Sequence, residues 1–249
     1  MSRWQARLDE LRAQHIRGVI VSLPLESATA ERLVQDNPDM ACLFLDVSPE
    51  ADVCCVRFDH RDGCGACVRH LWELGHRECG LLADRKSSVS ARLRLASWRE
   101  ALHSLNIARS TTVVWRLERR QQLAENFRAP PPAAADQRHS GGKRSDGAGV
   151  LSALAQLNRS GSQAVSVTGY DDTADSLYFQ PPLTTVAQDF DLLGKRAVER
   201  LIALMAAPQL RIRELLPTRL IVRQSAWPVA AAEDRQQTLA QLKALVEKL

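Results

Sequence analysis

Ala41-Cys42-Leu43-Phe44-Leu45-Asp46, Cys54-Cys55-Val56-Arg57-Phe58 and Cys79-Gly80-Leu81-Leu82 are three short apolar runs. Between the last two lies a helix-length segment, 62–74, followed by Gly75. The runs are too short for helices and do not alternate cleanly between apolar and polar residues. That pattern predicts strands buried on both faces. Gly75 suits the position just past a helix end. Outward from this centre the alternation continues. Residues 18–23 read as a strand, and 27–34 as a helix. Residues 4–14 read as an amphipathic helix with Leu8 and Leu11 on one face. Residues 88–105 read as a helix opened by the hydroxyls of Ser87, Ser88 and Ser90. Strands separated by helices imply βαβ units and a parallel sheet.

The last third resumes the pattern. Residues 150–157 are expected to be helical, 164–167 a strand, 189–205 a long helix and 220–223 a last strand. Residues 226–232 look like a linker. In 238–249, Leu239, Leu242, Val246 and Leu249 fall at heptad spacing. This is either an amphipathic helix folded back on its own domain or an oligomerisation seam. The position after a linker favours the seam. From 116 to 147 there is no usable periodicity. The stretch holds three prolines, Pro130 to Pro132, then three alanines, then the polar run from Gln137 to Arg144. So long a patternless stretch is uncommon inside an α/β domain.

The 249 residues suit one large domain or two ordinary ones. A hydrophobic share of 45% and a charged share of 25% exclude wholesale disorder. No apolar run is long enough to cross a membrane, and the first residues lack a secretory pattern. All six cysteines lie between Cys42 and Cys79. That is not the layout of a secreted disulfide scaffold, so a reduced, cytoplasmic protein is expected. The formal charge is +4. Seven basic and four acidic residues fall within 116–147, so most of the excess belongs to the patternless stretch and says little about a partner.

No motif supports catalysis: there is no G-x-S-x-G, H-E-x-x-H or phosphate loop with a preceding strand. No enzyme, cofactor or metal site is expected. Cys64-Gly65-Ala66-Cys67 is a C-x-x-C pair. It could be redox-active at a helix start, or a metal half-site, but core burial fits free cysteines best. Three polar clusters remain: Asp46 at a strand end, Ser90, Arg92 and Arg94 at a helix start, and Tyr170-Asp171-Asp172 at another strand end. Each alone suits a helix cap or a surface ion pair. Together they suit a cleft at the carboxyl ends of parallel strands, holding a ligand rich in hydroxyls.

The runs Leu43-Phe44-Leu45-Asp46-Val47-Ser48, Ser87 to Ala96, Val167 to Thr173 and Pro181-Pro182-Leu183-Thr184-Thr185 closely resemble the LacI family of transcriptional repressors. The resemblance covers nearly the whole chain except about 115–149. It implies a periplasmic-binding-protein-like pair of parallel-sheet α/β subdomains, incomplete here, with a C-terminal oligomerisation helix. By similarity, 1–58 with 190–217 form one subdomain and 59–187 with 218–226 the other. Residues 227–234 would be a linker and 235–249 a tetramerisation helix. The resemblance also implies that Asp46, Ser90, Arg94 and Asp171 contact the hydroxyls of a galactoside inducer. Phe58, Gln188, Phe190 and Leu193 would lie near the inducer and the crossover segments. The function implied is that of the effector-binding core of a repressor of lactose utilisation. Two alternatives are a remnant acting only as a mixed-oligomer partner, and a periplasmic sugar-binding protein. The lack of a signal segment and the terminal heptads speak against the latter.

Two departures stand out. The chain begins inside the family core, so the DNA-reading helix-turn-helix and the first strands of one subdomain are expected to be missing. Operator DNA would then be reached only through an absent headpiece. A sheet edge would be left unpaired. The second departure is the patternless stretch, which reads as an out-of-frame translation. One codon choice for residues 115–127, read from the second base, gives Gly-Asp-Trp-Ser-Ala-Ala-Ser-Ser-Trp-Gln-Lys-Thr. One for 142–149 gives Ala-Asn-Asp-Gln-Met-Ala-Leu. Both match the family's text. The family's ring-stacking tryptophan is then replaced by Leu117, and its ligand-binding asparagine by Lys143. Galactoside binding is accordingly expected to be weak or lost.

Overall fold

In a computed structural model of the chain, the structure describes residues 3–83, 89–107, 109–114, 133–136, 151 and 166–229. The described elements run α1 (Arg3–Ala13), β1 (Gly18–Val21), α2 (Ser27–Gln35), β2 (Ala41–Phe44), β3 (Cys55–Phe58), α3 (His60–Glu73), β4 (Glu78–Ala83), α4 (Val89–Ser104), β5 (Arg109–Val114), β6 (Ala133–Asp136), β7 (Val167–Asp171), a 3₁₀ turn (Ala174–Leu177), β8 (Thr184–Ala187), α5 (Phe190–Ala206), β9 (Arg213–Leu216) and β10 (Arg219–Ile221). They form two sheets. The first is all parallel, in the order β1-β2-β3-β9. The second has the order β10-β8-β7-β6-β4-β5 and is parallel except for β10, which runs antiparallel to β8.

Strand β2 is apolar throughout because helices cover both of its faces. Cys42 and Phe44 of β2 pack with Leu8 of α1 and Ala30 and Leu33 of α2. Leu43, between them in sequence, points the other way and packs with Ala197 and Leu204 of α5. A period-two strand buried on both sides needs an apolar residue at every position. Helix starts are set by carboxylates. Asp59 accepts from the N–H groups of Arg61 (3.0 Å) and Asp62 (3.2 Å), and Asp189 from Leu192 (2.8 Å). Each satisfies a backbone donor with no partner inside its helix. Gly75 follows α3 at φ +91°, the left-handed conformation expected of it.

Two expectations are corrected. The strand expected at 164–167 is Val167–Asp171, so Asp171 is its last residue. Pairing with β8 extends through Asp171 and fixes that register. The patternless stretch contains β6, which lies between β4 and β7 inside the six-stranded sheet. The helix expected at 150–157 falls outside the described residues except for Leu151. Ser87, Ser88, Leu117, Lys143 and the terminal segment with Leu239, Leu242, Val246 and Leu249 also fall outside them.

The end of α3 carries a pH dependence. His76 Nε2 donates to the Trp227 carbonyl at 3.1 Å, and burial holds its pKa below the ordinary histidine value. Burial lowers His70 as well. Both histidines stay neutral in the folded chain at a pH where the unfolded chain protonates them. The stability they contribute is complete above about pH 6.5 and is lost as pH falls through their lowered folded values. A His76→Gln variant should therefore lose less urea resistance than the unsubstituted chain between about pH 7 and pH 5. Equal losses in the two proteins would remove His76 as the cause.

Candidate ligand-binding site

The strand directions bring several candidate side chains to the carboxyl ends of the strands. Asp46 lies just beyond β2, Phe58 ends β3, Asp171 ends β7 and Gln188 lies just beyond β8. The start of α4 supplies Ser90 and Arg94. Ser90 Oγ donates to Asp46 Oδ1 at 2.7 Å. This bond joins a helix of the six-stranded unit to a strand end of the four-stranded one. Beside it, Arg92 pairs with Glu26, the residue capping α2, in a second link between the units.

Arg94 is the buried centre of the set. Its side chain is 1% exposed. Nη1 lies 3.5 Å from Asp171 Oδ1, and the guanidinium stands 4.8 Å over the Tyr170 ring. Its Nε has no partner among the described residues. Tyr170 in turn lies 3.3 Å from His60 Nδ1 through its hydroxyl. Burial pushes the Tyr170 phenol far up, so it stays protonated. Asp171 and Asp172 both have positive φ, 82° and 44°. This is an uncommon backbone conformation for residues other than glycine, and short polar side chains tolerate it best. It turns the chain sharply at the strand end. Arg223 Nη1 holds the turn, 2.7 Å from Asp172 Oδ1 and 2.7 Å from the Leu183 carbonyl.

At the crossover to α5, Phe58 and Phe190 meet edge to face, with centroids 5.4 Å apart. Leu193 packs against the cluster containing Phe58. Gln188 is buried, and neither atom of its side-chain amide has a partner among the described residues. The geometry therefore offers donors and acceptors of both signs at the carboxyl ends of two parallel sheets. That suits a neutral ligand carrying several hydroxyls. An open cavity of about 650 Å³ lies at the other end of the four-stranded sheet. Arg17 and Arg211 mix there with Glu31 and Asp39, so no one ligand charge is favoured.

The sequence singled out Asp46, Ser90, Arg94 and Asp171, and the structure brings them together as two linked pairs. It missed the supporting pairs His60–Tyr170 and Arg223–Asp172, whose members are far apart in the chain and carry no shared local pattern. The C-x-x-C pair faces the core. Cys64 and Cys67 are both buried, and burial pushes the Cys67 thiol up to about 12 and that of Cys64 further still. Thiols so protonated are poor nucleophiles, and core packing is the reading that survives. Among the described residues, no cluster of His, Cys, Asp and Glu could hold a metal, and no helix is long and apolar enough to cross a membrane.

A family model described as a periplasmic binding protein-like domain matches residues 68–226. The chain is 84% identical, over 253 residues, to the lactose operon repressor of Klebsiella pneumoniae. That alignment covers 98% of this chain and 69% of the relative. Identity to the lactose operon repressor of Escherichia coli K12 is 34%, with 97% and 69% covered. Among solved structures, the lac repressor dimer bound to operator and the anti-inducer ONPF superposes with a TM-score of 0.79 at 34% identity. It covers 91% of this chain and 80% of the other.

Proposed function

This chain belongs to the LacI family of transcriptional regulators, and from that premise we propose that the cleft between its two sheets is a galactoside-effector site whose affinity is weak or lost in this chain. The observation that carries the reading is the paired set Asp46–Ser90 and Arg94–Asp171, placed where the carboxyl ends of both parallel sheets meet. Carboxylates accept from sugar hydroxyls and the guanidinium donates to them. Phe58, Gln188, Phe190 and Leu193 complete the walls. Such sites discriminate well because a missing hydroxyl leaves a buried partner unpaired. We assign 1–58 with 190–217 to one subdomain and 59–187 with 218–226 to the other. Residues 227–234 act as a linker and 235–249 as a tetramerisation helix. The chain works in the cytoplasm as part of a homo-oligomer. Operator DNA is read by a headpiece in the part of the relatives that this chain does not span.

The 115–149 stretch bears directly on affinity. Leu117 cannot supply the face of a tryptophan ring, and Lys143 has no acceptor where the family has an asparagine. The 16% of aligned positions that differ from the Klebsiella relative would fit within a segment only slightly longer than 115–149. Calorimetric titration with a galactoside inducer is expected to give no saturable heat. Replacing 115–149 by the matching stretch of the Klebsiella relative should raise affinity by about 100-fold or more. Micromolar binding by the unsubstituted chain would overturn the loss. Failure of the replaced chain to bind would overturn the galactoside reading itself.

A further inference from the structure

Tyr170 reaches both the ligand side and the crossover side of the candidate site. Its ring lies under the Arg94 guanidinium, and its hydroxyl lies 3.3 Å from His60 Nδ1. Both residues are buried, Tyr170 in a cluster with Cys64, Cys67 and Val186. His60 opens α3, two residues beyond Phe58, where the chain leaves the four-stranded sheet for the six-stranded one. The return crossover is stitched to the same corner. The Asp59 N–H donates to the carbonyl of Leu216, the last residue of β9, at 2.8 Å. Thr218 Oγ1 donates to the Asp59 carbonyl at 3.1 Å. A Cβ on Gly63 would stand 2.7 Å from the Tyr170 hydroxyl and 2.8 Å from Thr218 Oγ1. The phenol end is therefore seated, without slack on the α3 side, where two crossovers meet.

Arg94 needs such a support. Its distance to Asp171 is at the outer limit of a hydrogen bond, so that pair alone does not fix the direction of the guanidinium. The face of an aromatic ring attracts a cation and limits where it can lie. A phenylalanine would offer the same face and fill the same core. It could not reach His60. A hydroxyl costs free energy to bury unless it is paired, so the hydroxyl at this position is matched to the imidazole that meets it.

We propose that Tyr170 is a positioning residue: its ring aims Arg94 into the cleft, and its hydroxyl, held by His60, fixes the ring against the crossover. This rests on the reading of the cleft as a galactoside site, in which Arg94 donates to a sugar hydroxyl. A donor held in one direction discriminates against a sugar that lacks its acceptor, whereas a donor free to swing does not. Tyr170 thus acts on selectivity through Arg94, without touching the ligand.

The test uses the full chain with 115–149 replaced by the Klebsiella stretch, titrated with a galactoside and with monodeoxy analogues that each lack one hydroxyl. The analogue whose deficit vanishes in Arg94→Lys, which keeps the charge but not the planar fork, marks the hydroxyl that Arg94 holds. That deficit is expected to be about 10-fold or more. Tyr170→Phe should narrow it to about threefold or less and leave the deficits of the other analogues unchanged. His60→Ala should narrow the same deficit, because both variants cut one anchor. A merely structural role would weaken every ligand in proportion. Proportional weakening, an unchanged deficit, or narrowing by only one of the two variants would overturn the proposal. A second measurement needs no ligand: urea unfolding of Tyr170→Phe, Arg94→Lys and the double variant should show about fivefold coupling in the unfolding constant. If the replaced chain binds no galactoside, the galactoside reading falls and this cycle alone decides the tie between Tyr170 and Arg94. Additive effects would overturn that tie in either case.

Discussion

Replacing Arg94 by methionine is expected to cost about 3 kcal/mol of folding stability, the low end of what removing one partner from a buried ion pair costs. Methionine keeps most of the volume, so little of the loss comes from a cavity. The loss comes from Asp171. Its carboxylate is 10% exposed and lies 3.5 Å from the guanidinium. Without that cation its largely buried carboxylate loses the counter-charge beside it. The low end applies because the pair is longer than an ideal salt bridge and Asp171 keeps some solvent. The double variant Arg94→Met with Asp171→Asn should recover part of the loss, since a neutral amide costs less to bury than a charge. Urea unfolding of the four proteins closes the cycle. A single-variant cost below about 1 kcal/mol would mean that the pair is held for ligand contact rather than for folding.

The candidate site shows how far the sequence could be read. Asp46 and Asp171 were legible because each closes an apolar run, and carboxyl ends of parallel strands are where α/β proteins place ligands. Ser90 and Arg94 stood out as a polar cluster at a helix start, but their pairing was not legible, since nothing local links Ser90 to Asp46 across 44 positions. Strand β6 was not legible. Ala133, Ala134 and Ala135 follow three prolines and have low strand propensity, so the segment reads as loop. Pairing to β4 on one side and β7 on the other overrides that preference. Strand β9 was missed for a different reason. Arg213 and Glu214 are charged because β9 lies at the edge of its sheet, and Glu214 holds Arg196 and Arg200 of α5. An edge strand with a charged, paired face lacks the apolar signature that exposed β2 and β3.

Trp98 bears on the site without touching it. It is 1% exposed and packs with Val68 and Leu71 of α3, with Cys79 and Leu81 of β4, and with Leu95 and Leu102 of its own helix. It thus fixes α4 onto the sheet one turn beyond Arg94, and α4 is the helix that aims Ser90 and Arg94. Trp98→Ala should cost about 3–5 kcal/mol, because the cavity left by an indole cannot close. One offset is built in: Trp98 Nε1 is buried with no partner among the described residues, so deleting it also removes the cost of desolvating an unpaired donor. A Trp98→Phe variant separates the two effects, since it discards the donor but keeps most of the volume. It should cost about 1 kcal/mol or less. If instead Phe costs nearly as much as Ala, the indole N–H is paired in solution and the loss belongs to a hydrogen bond. If both cost little, this core does not anchor α4, and the placing of Ser90 and Arg94 must come from the links across to Asp46 and Glu26.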